Sequence, residues 1–86
     1  MPWILILTPT FRRGYKNLSS DLQRNVNQAL RELAESDDPR SLGVRKAGKW
    51  KGVFTYEIGT RYRIFYKVIF EQRTIQVSHV GGHELY

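Results

Sequence analysis

The sequence predicts an α+β fold of order β-α-α-β-β-β: a helical hairpin packed on one face of a mostly antiparallel four-stranded sheet, in a single domain spanning residues 1–86. Three observations carry that expectation. Leu22, Val26, Leu30 and Leu33 recur at i, i+4, i+8 and i+11, which places them on one helical face. The run "RYRIFYKVIF" alternates Tyr62, Ile64, Tyr66 and Val68 against Arg63, Phe65, Lys67 and Ile69, the period of a strand. Apart from a short apolar run at the start, helical periodicity fills the first half and strand periodicity the second.

Taken in order, Trp3 to Leu7 is a strand expected to be buried on both faces. Thr8-Pro9 starts a helix, with Thr8 as cap and Pro9 in the first turn. Phe11, Tyr15 and Leu18 form its apolar stripe. The second helix begins at Ser20, with Gln23 completing a capping box, and "SDDPRSLG" ends it with turn chemistry. Trp50, Phe54, Tyr56 and Ile58 mark the next strand. Gly59-Thr60 reads as a two-residue type II′ hairpin. "TIQVSHV" is the last strand, with His79 in phase with Ile75 and Val77 and hence packed among them. The sheet face away from the helices then carries Arg63 and Lys67.

Composition narrows the function. Fourteen Lys and Arg stand against eight Asp and Glu, a net charge of +6, which points to a polyanionic partner. Asp21, Glu32, Glu35, Asp37 and Asp38 cluster in the helical half, so the strand half is the basic one. The chain has no cysteine, which excludes disulfides, zinc ribbons and thiol nucleophiles. No apolar run approaches a bilayer span. "MPWILILTPTF" has neither a charged leader nor a small-residue cleavage site and reads as a strand, not a signal peptide, so a cytoplasmic location and no membrane partner are expected. His79 and His83 flank a Gly-Gly step without a carboxylate cluster, so no metal is expected. No phosphate-cradling glycine loop appears, and no cofactor is expected.

The segments "LRELAESDDPRSLGVRKAG", "YRIFY" and "VGGHELY", in that order and over nearly the whole chain, resemble the RelE/ParE superfamily of toxins from prokaryotic type II toxin–antitoxin pairs. The resemblance implies a metal-independent, ribosome-dependent endoribonuclease acting on mRNA, neutralised by a cognate antitoxin that is acidic at the contact. Two alternatives stay open: a ParE-like gyrase inhibitor of the same fold, and a non-catalytic nucleic-acid-binding module. The sequence departs from the family at Glu57, where a basic residue is frequent, and in having no terminal helix after Tyr86.

RNA self-cleavage needs a base for the 2′-OH, a cation for the charge on phosphorus and an acid for the leaving 5′-oxygen. Arg63 is the candidate cation, since a guanidinium grips phosphate bidentately. His83 is the candidate acid–base group, because its ordinary pKa lies near neutrality. The Gly81-Gly82 step would let it turn back toward Arg63. Tyr86 would move a proton or stack on a base, or else plug the terminus. Arg45, Lys46, Lys49, Lys51 and Arg61 are candidate phosphate contacts. Lys46, Lys49, Lys51, Glu57 and Glu84 all stay open as the general base.

Overall fold

The computed structural model describes residues 2–46, 48 and 52–82. Strand β1 (Ile4–Leu7) leads into helix α1 (Pro9–Lys16) and helix α2 (Ser20–Glu35). A 3-10 turn over Pro39–Leu42 follows, then strands β2 (Val44–Arg45), β3 (Phe54–Ile58) and β4 (Tyr62–Ile69). A second 3-10 turn, Phe70–Gln72, precedes β5 (Thr74–Gly81). The five strands form one sheet in the order β1-β5-β4-β3-β2. β1 runs parallel to β5 and every other pairing is antiparallel. The predicted α+β order holds, with a fifth strand added at the edge. That strand has only two residues, too few for a periodicity to announce it. Gly43 admits it: a Cβ there would stand 2.8 Å from the Thr55 carbonyl oxygen.

Helix starts follow local chemistry. Thr8 caps α1, its Oγ1 accepting from the Phe11 amide at 3.1 Å, with Pro9 in the first turn. Helix α2 is capped by Ser19, not Ser20: its Oγ accepts from the Leu22 amide at 3.3 Å. Gln23 does not close a capping box; its amide donates to the Tyr15 carbonyl at 2.9 Å and so links the two helices. Val26, Ala29, Leu30 and Leu33 of α2 are buried and meet Ile64, Tyr66, Ile75, Val77 and Val80 of the sheet in one core. Each such large apolar side chain contributes roughly 1.5–3 kcal/mol by leaving water. Tyr66 is fully buried, and its hydroxyl donates to the Pro39 carbonyl at 2.7 Å. Gly14 lets α1 lie directly on β5, since a Cβ there would meet the Val80 carbonyl oxygen at 2.5 Å.

Three further local expectations are corrected. β1 is not buried on both faces: Leu5 and Leu7 pack on the core, while Ile4 and Ile6 are 60% and 48% exposed. The helices cover only one face and β1 lies at the sheet edge. The β3–β4 hairpin pairs Ile58 with Tyr62, so its loop is residues 59–61 and has three residues, not two; Gly59 does take the positive φ of +64° expected of it. The third correction is at β5, where Phe65 pairs with His79 but Tyr66 with Val77. Ser78 is therefore an extra residue, a β-bulge. One further feature is Arg73, which closes the second 3-10 turn at φ +49°; this left-handed conformation costs an L-residue about 1–2 kcal/mol.

Candidate functional site

The face of the sheet away from the helices is assembled by register. Glu57 of β3 pairs with Arg63 of β4, which pairs with Gly81 of β5. Thr55, Phe65 and His79 form the next row. Alternation puts these residues opposite Ile64, Tyr66 and Val80, which are in the core. Arg63 thus sits where the sequence placed it, but it is less open than a surface arginine: its side chain is 15% exposed. Its guanidinium lies 3.5 Å from the Glu57 carboxylate, a cross-strand pair that places a negative charge beside the candidate phosphate grip.

His79 belongs to this face. A regular strand would have kept it with Ile75 and Val77; the bulge at Ser78 shifts the phase by one and turns it to the opposite side. Its ring stands edge-on to Phe65 with centroids 5.8 Å apart, and its Nδ1 lies 3.0 Å from the Ser78 hydroxyl. The bulge is tied in from both sides. Thr8 Oγ1 donates to the Ser78 carbonyl at 2.9 Å, and Ser78 Oγ donates to the Phe65 carbonyl at 3.3 Å. The same threonine therefore caps α1 and fixes the kink that aims His79. A sequence signal existed: the apolar residues of β5 fall at 75, 77 and 80, a step of two followed by a step of three.

Other candidates are divided in space. Arg61 is exposed in the hairpin loop, two residues from Arg63. Arg45 pairs with Phe54, a core residue, so its side chain lies on the helix side of the sheet, with its guanidinium 5.8 Å from the Phe54 ring centroid. Arg45 and Lys46 line a cleft of about 510 Å³ with Arg40, Phe54, Val68 and Phe70, and that cleft is not the Arg63 site. Lys49, Lys51, His83, Glu84 and Tyr86, and Trp50 of the expected strand, lie outside the described residues. Gly81 and Gly82, which lead to His83, are buried, and Gly81 is the strand partner of Arg63. Among the described residues, no group of three or more His, Cys, Asp or Glu could hold a metal ion, and no helix is long and apolar enough to cross a membrane.

Titration is perturbed elsewhere. The Tyr56 hydroxyl donates to the Glu32 carboxylate of α2. That bond, with partial burial, pushes the phenol up to about 12. Burial pushes Tyr66 higher still. The Arg40 fork on Asp38, 3.1 Å in each arm, holds that carboxyl below its ordinary range. These groups brace the fold and do not touch the Arg63 face.

Residues 5–86 match a family model described as the ParE-like toxin of type II bacterial toxin–antitoxin systems. The fold is similar to that of the RelBE2 toxin–antitoxin complex from Mycobacterium tuberculosis, with TM-score 0.78 and 24% identity over 96% of this chain and 100% of that one. It is also similar to a YoeB/ParE toxin from Agrobacterium tumefaciens (TM-score 0.79, 19% identity, 93% and 98% covered). The YoeB–YefM complex from Staphylococcus aureus has a related structure (TM-score 0.76, 15% identity, 96% and 99% covered). No curated protein sequence matches the chain.

Proposed function

The chain belongs to the ParE-like toxin family of type II bacterial toxin–antitoxin systems, and from that premise we propose that it is a single-domain, RelE-type toxin: a cytoplasmic, ribosome-dependent endoribonuclease that cleaves mRNA without metal or cofactor. The observation that carries the reading is Arg63, held on the helix-free face between Glu57 and Gly81, with the bulge-turned His79 one strand row away. On that face Thr55 and Phe65 are buried and Arg63 is 15% exposed, so the guanidinium is partly shielded from water, and a strand places side chains more rigidly than a loop does, as phosphate chemistry requires.

In this reading a base removes the 2′-OH proton and the 2′-oxygen attacks phosphorus in line. The bond to the 5′-oxygen breaks and an acid protonates that oxygen, leaving a cyclic phosphate and a 5′-hydroxyl. Arg63 stabilises the charge that grows on the phosphoryl oxygens. His83 is the acid, delivered by the Gly81-Gly82 step, and Tyr86 stacks on a base or moves a proton. Arg61 steers the phosphate backbone toward the site. The base is one of Lys49, Lys51, Glu57 or Glu84; Lys46, in the separate cleft with Arg45, drops out. A cognate antitoxin, acidic where it meets this basic protein, would silence the site by covering it. Support for such a partner is the RelBE2 and YoeB–YefM complexes with related structures.

A second reading, a gyrase inhibitor, is favoured by one specific contact. Glu57 offsets the charge of Arg63 at 3.5 Å, which a phosphate-gripping site does not need. A non-catalytic binding module would need only the lysines and not the Arg63 arrangement. RNA 3′-end mapping after induction, with gyrase supercoiling assayed in parallel, separates the three. New 3′ ends within translated messages and normal supercoiling support the nuclease. Intact messages with blocked supercoiling support the gyrase reading, and neither effect supports the module.

A further inference from the structure

We propose that the β4–β5 turn end of the molecule carries a second nucleic-acid contact, a stacking platform that takes an unpaired base of single-stranded RNA on Phe70. The proposal rests on the RNA-directed reading of the chain but not on its cleavage step. Phe70 is a large aromatic residue that is 48% exposed, yet it is held in place. The Arg40 guanidinium lies 4.4 Å from its ring centroid, and the buried Trp3 ring stands edge-on at 5.4 Å. On Trp3 in turn lies the Arg73 guanidinium, 4.7 Å from the ring centroid. The result is a guanidinium–ring–ring–guanidinium series in which Phe70 keeps about half of its surface exposed.

Two further observations point to an anionic, planar ligand. Arg73 occupies the left-handed position at φ +49°, where glycine or asparagine would be unstrained. A cation thus stands where the backbone disfavours most side chains. Beside Phe70 opens the cleft of about 510 Å³ lined by Arg40, Arg45, Lys46, Phe54 and Val68, a volume in the range that holds small ligands. Around the platform, Arg40, Arg45, Lys46 and Arg73 stand against Asp38 and Glu71. Asp38 holds the Arg40 fork, so Arg40 serves as a flat plate and Arg45 as a phosphate contact. Aromatic faces combined with cations are how single strands are held without sequence readout. The platform lies at the far end of β4 from Arg63, seven residues or about 23 Å along the strand, so a bound strand would touch the protein at two separated points.

The test is fluorescence anisotropy with the full chain and a labelled, short 2′-O-methyl oligoribonucleotide, which has no free 2′-OH and cannot be cleaved. Phe70→Leu keeps apolar cover over Trp3 but removes the π-face. It is expected to weaken binding roughly 5- to 100-fold without changing the salt slope. Arg45→Ala is expected to reduce that slope by about 0.7. A duplex of the same sequence should bind Phe70→Leu and the unaltered protein alike. The proposal is overturned if Phe70→Leu, shown folded by its thermal midpoint, binds the single strand like the unaltered protein, or if the unaltered protein does not bind it. If binding follows the expected pattern while no message is cut in cells, the platform stands and the nuclease reading alone fails.

Discussion

Replacing Glu57 by glutamine asks whether the carboxylate beside Arg63 works for the reaction or against the phosphate. The pair is 3.5 Å apart, with Glu57 56% and Arg63 15% exposed. At the water-like dielectric of so exposed a carboxylate, the attraction is about 1 kcal/mol. Side-chain ordering and salt reduce it to roughly 0.2–1 kcal/mol. A phosphate that takes Arg63 must overcome that attraction and the repulsion of the carboxylate. Glu57→Gln should therefore raise RNA affinity about two- to fivefold in low salt, with the gain shrinking as salt rises, and should lower stability by less than about 1 kcal/mol. The assay is anisotropy titration of an uncleavable oligoribonucleotide across salt, with chemical denaturation alongside. Unchanged or weaker binding at low salt would refute the claim that Glu57 and phosphate compete for Arg63. Cleavage by the same variant reads separately: a loss of a hundredfold or more at saturating substrate assigns Glu57 as the base.

Gly14→Ala should lower stability by about 1 kcal/mol: the gain in helix propensity is about 1, but overpacking against the Val80 carbonyl, 2.5 Å from the new Cβ, costs about 1–3. Urea denaturation checks it, and a more stable variant would mean α1 can lift off β5. Tyr56 and Tyr66 have phenols raised above their unfolded value near 10, so their contribution to stability is full below pH 10. It is lost as pH rises through about 12 for Tyr56. Ultraviolet titration should show Tyr56→Phe lacking a late-ionising phenol, and early ionisation of every tyrosine in the folded protein would contradict it. His79→Ala should weaken binding of the uncleavable oligoribonucleotide in the same anisotropy titration; unchanged binding would mean that His79 only packs on Phe65.

The legible parts of this fold were those with a long, unbroken period. Three of the four periodic apolar positions in α2, Val26, Leu30 and Leu33, are buried and Leu22 is only partly so, while eight alternating residues in β4 placed Arg63 opposite Ile64. Where the period breaks, tertiary context decided. β1 is too short to show which face is covered, and its exposed Ile4 and Ile6 look as apolar as its packed Leu5 and Leu7. The bulge at Ser78 reversed the face of His79, and only the wider step from Val77 to Val80 hints at it. Arg45 and Lys46 are close in sequence to the strands that carry Arg63. A two-residue strand nevertheless turns Arg45 to the helix side of the sheet, something charge runs cannot reveal.

Whether this face cuts RNA through Arg63 is tested most directly by single-turnover cleavage of mRNA on programmed ribosomes with Arg63→Ala. Affinity for the same ribosomes is measured in parallel. The cleavage rate should fall about a hundredfold or more, since Arg63 meets charge that grows only in the transition state, while affinity should change by no more than a few-fold. Undiminished cleavage by Arg63→Ala, or no cleavage by the unaltered protein together with inhibition of gyrase, would contradict that role of Arg63.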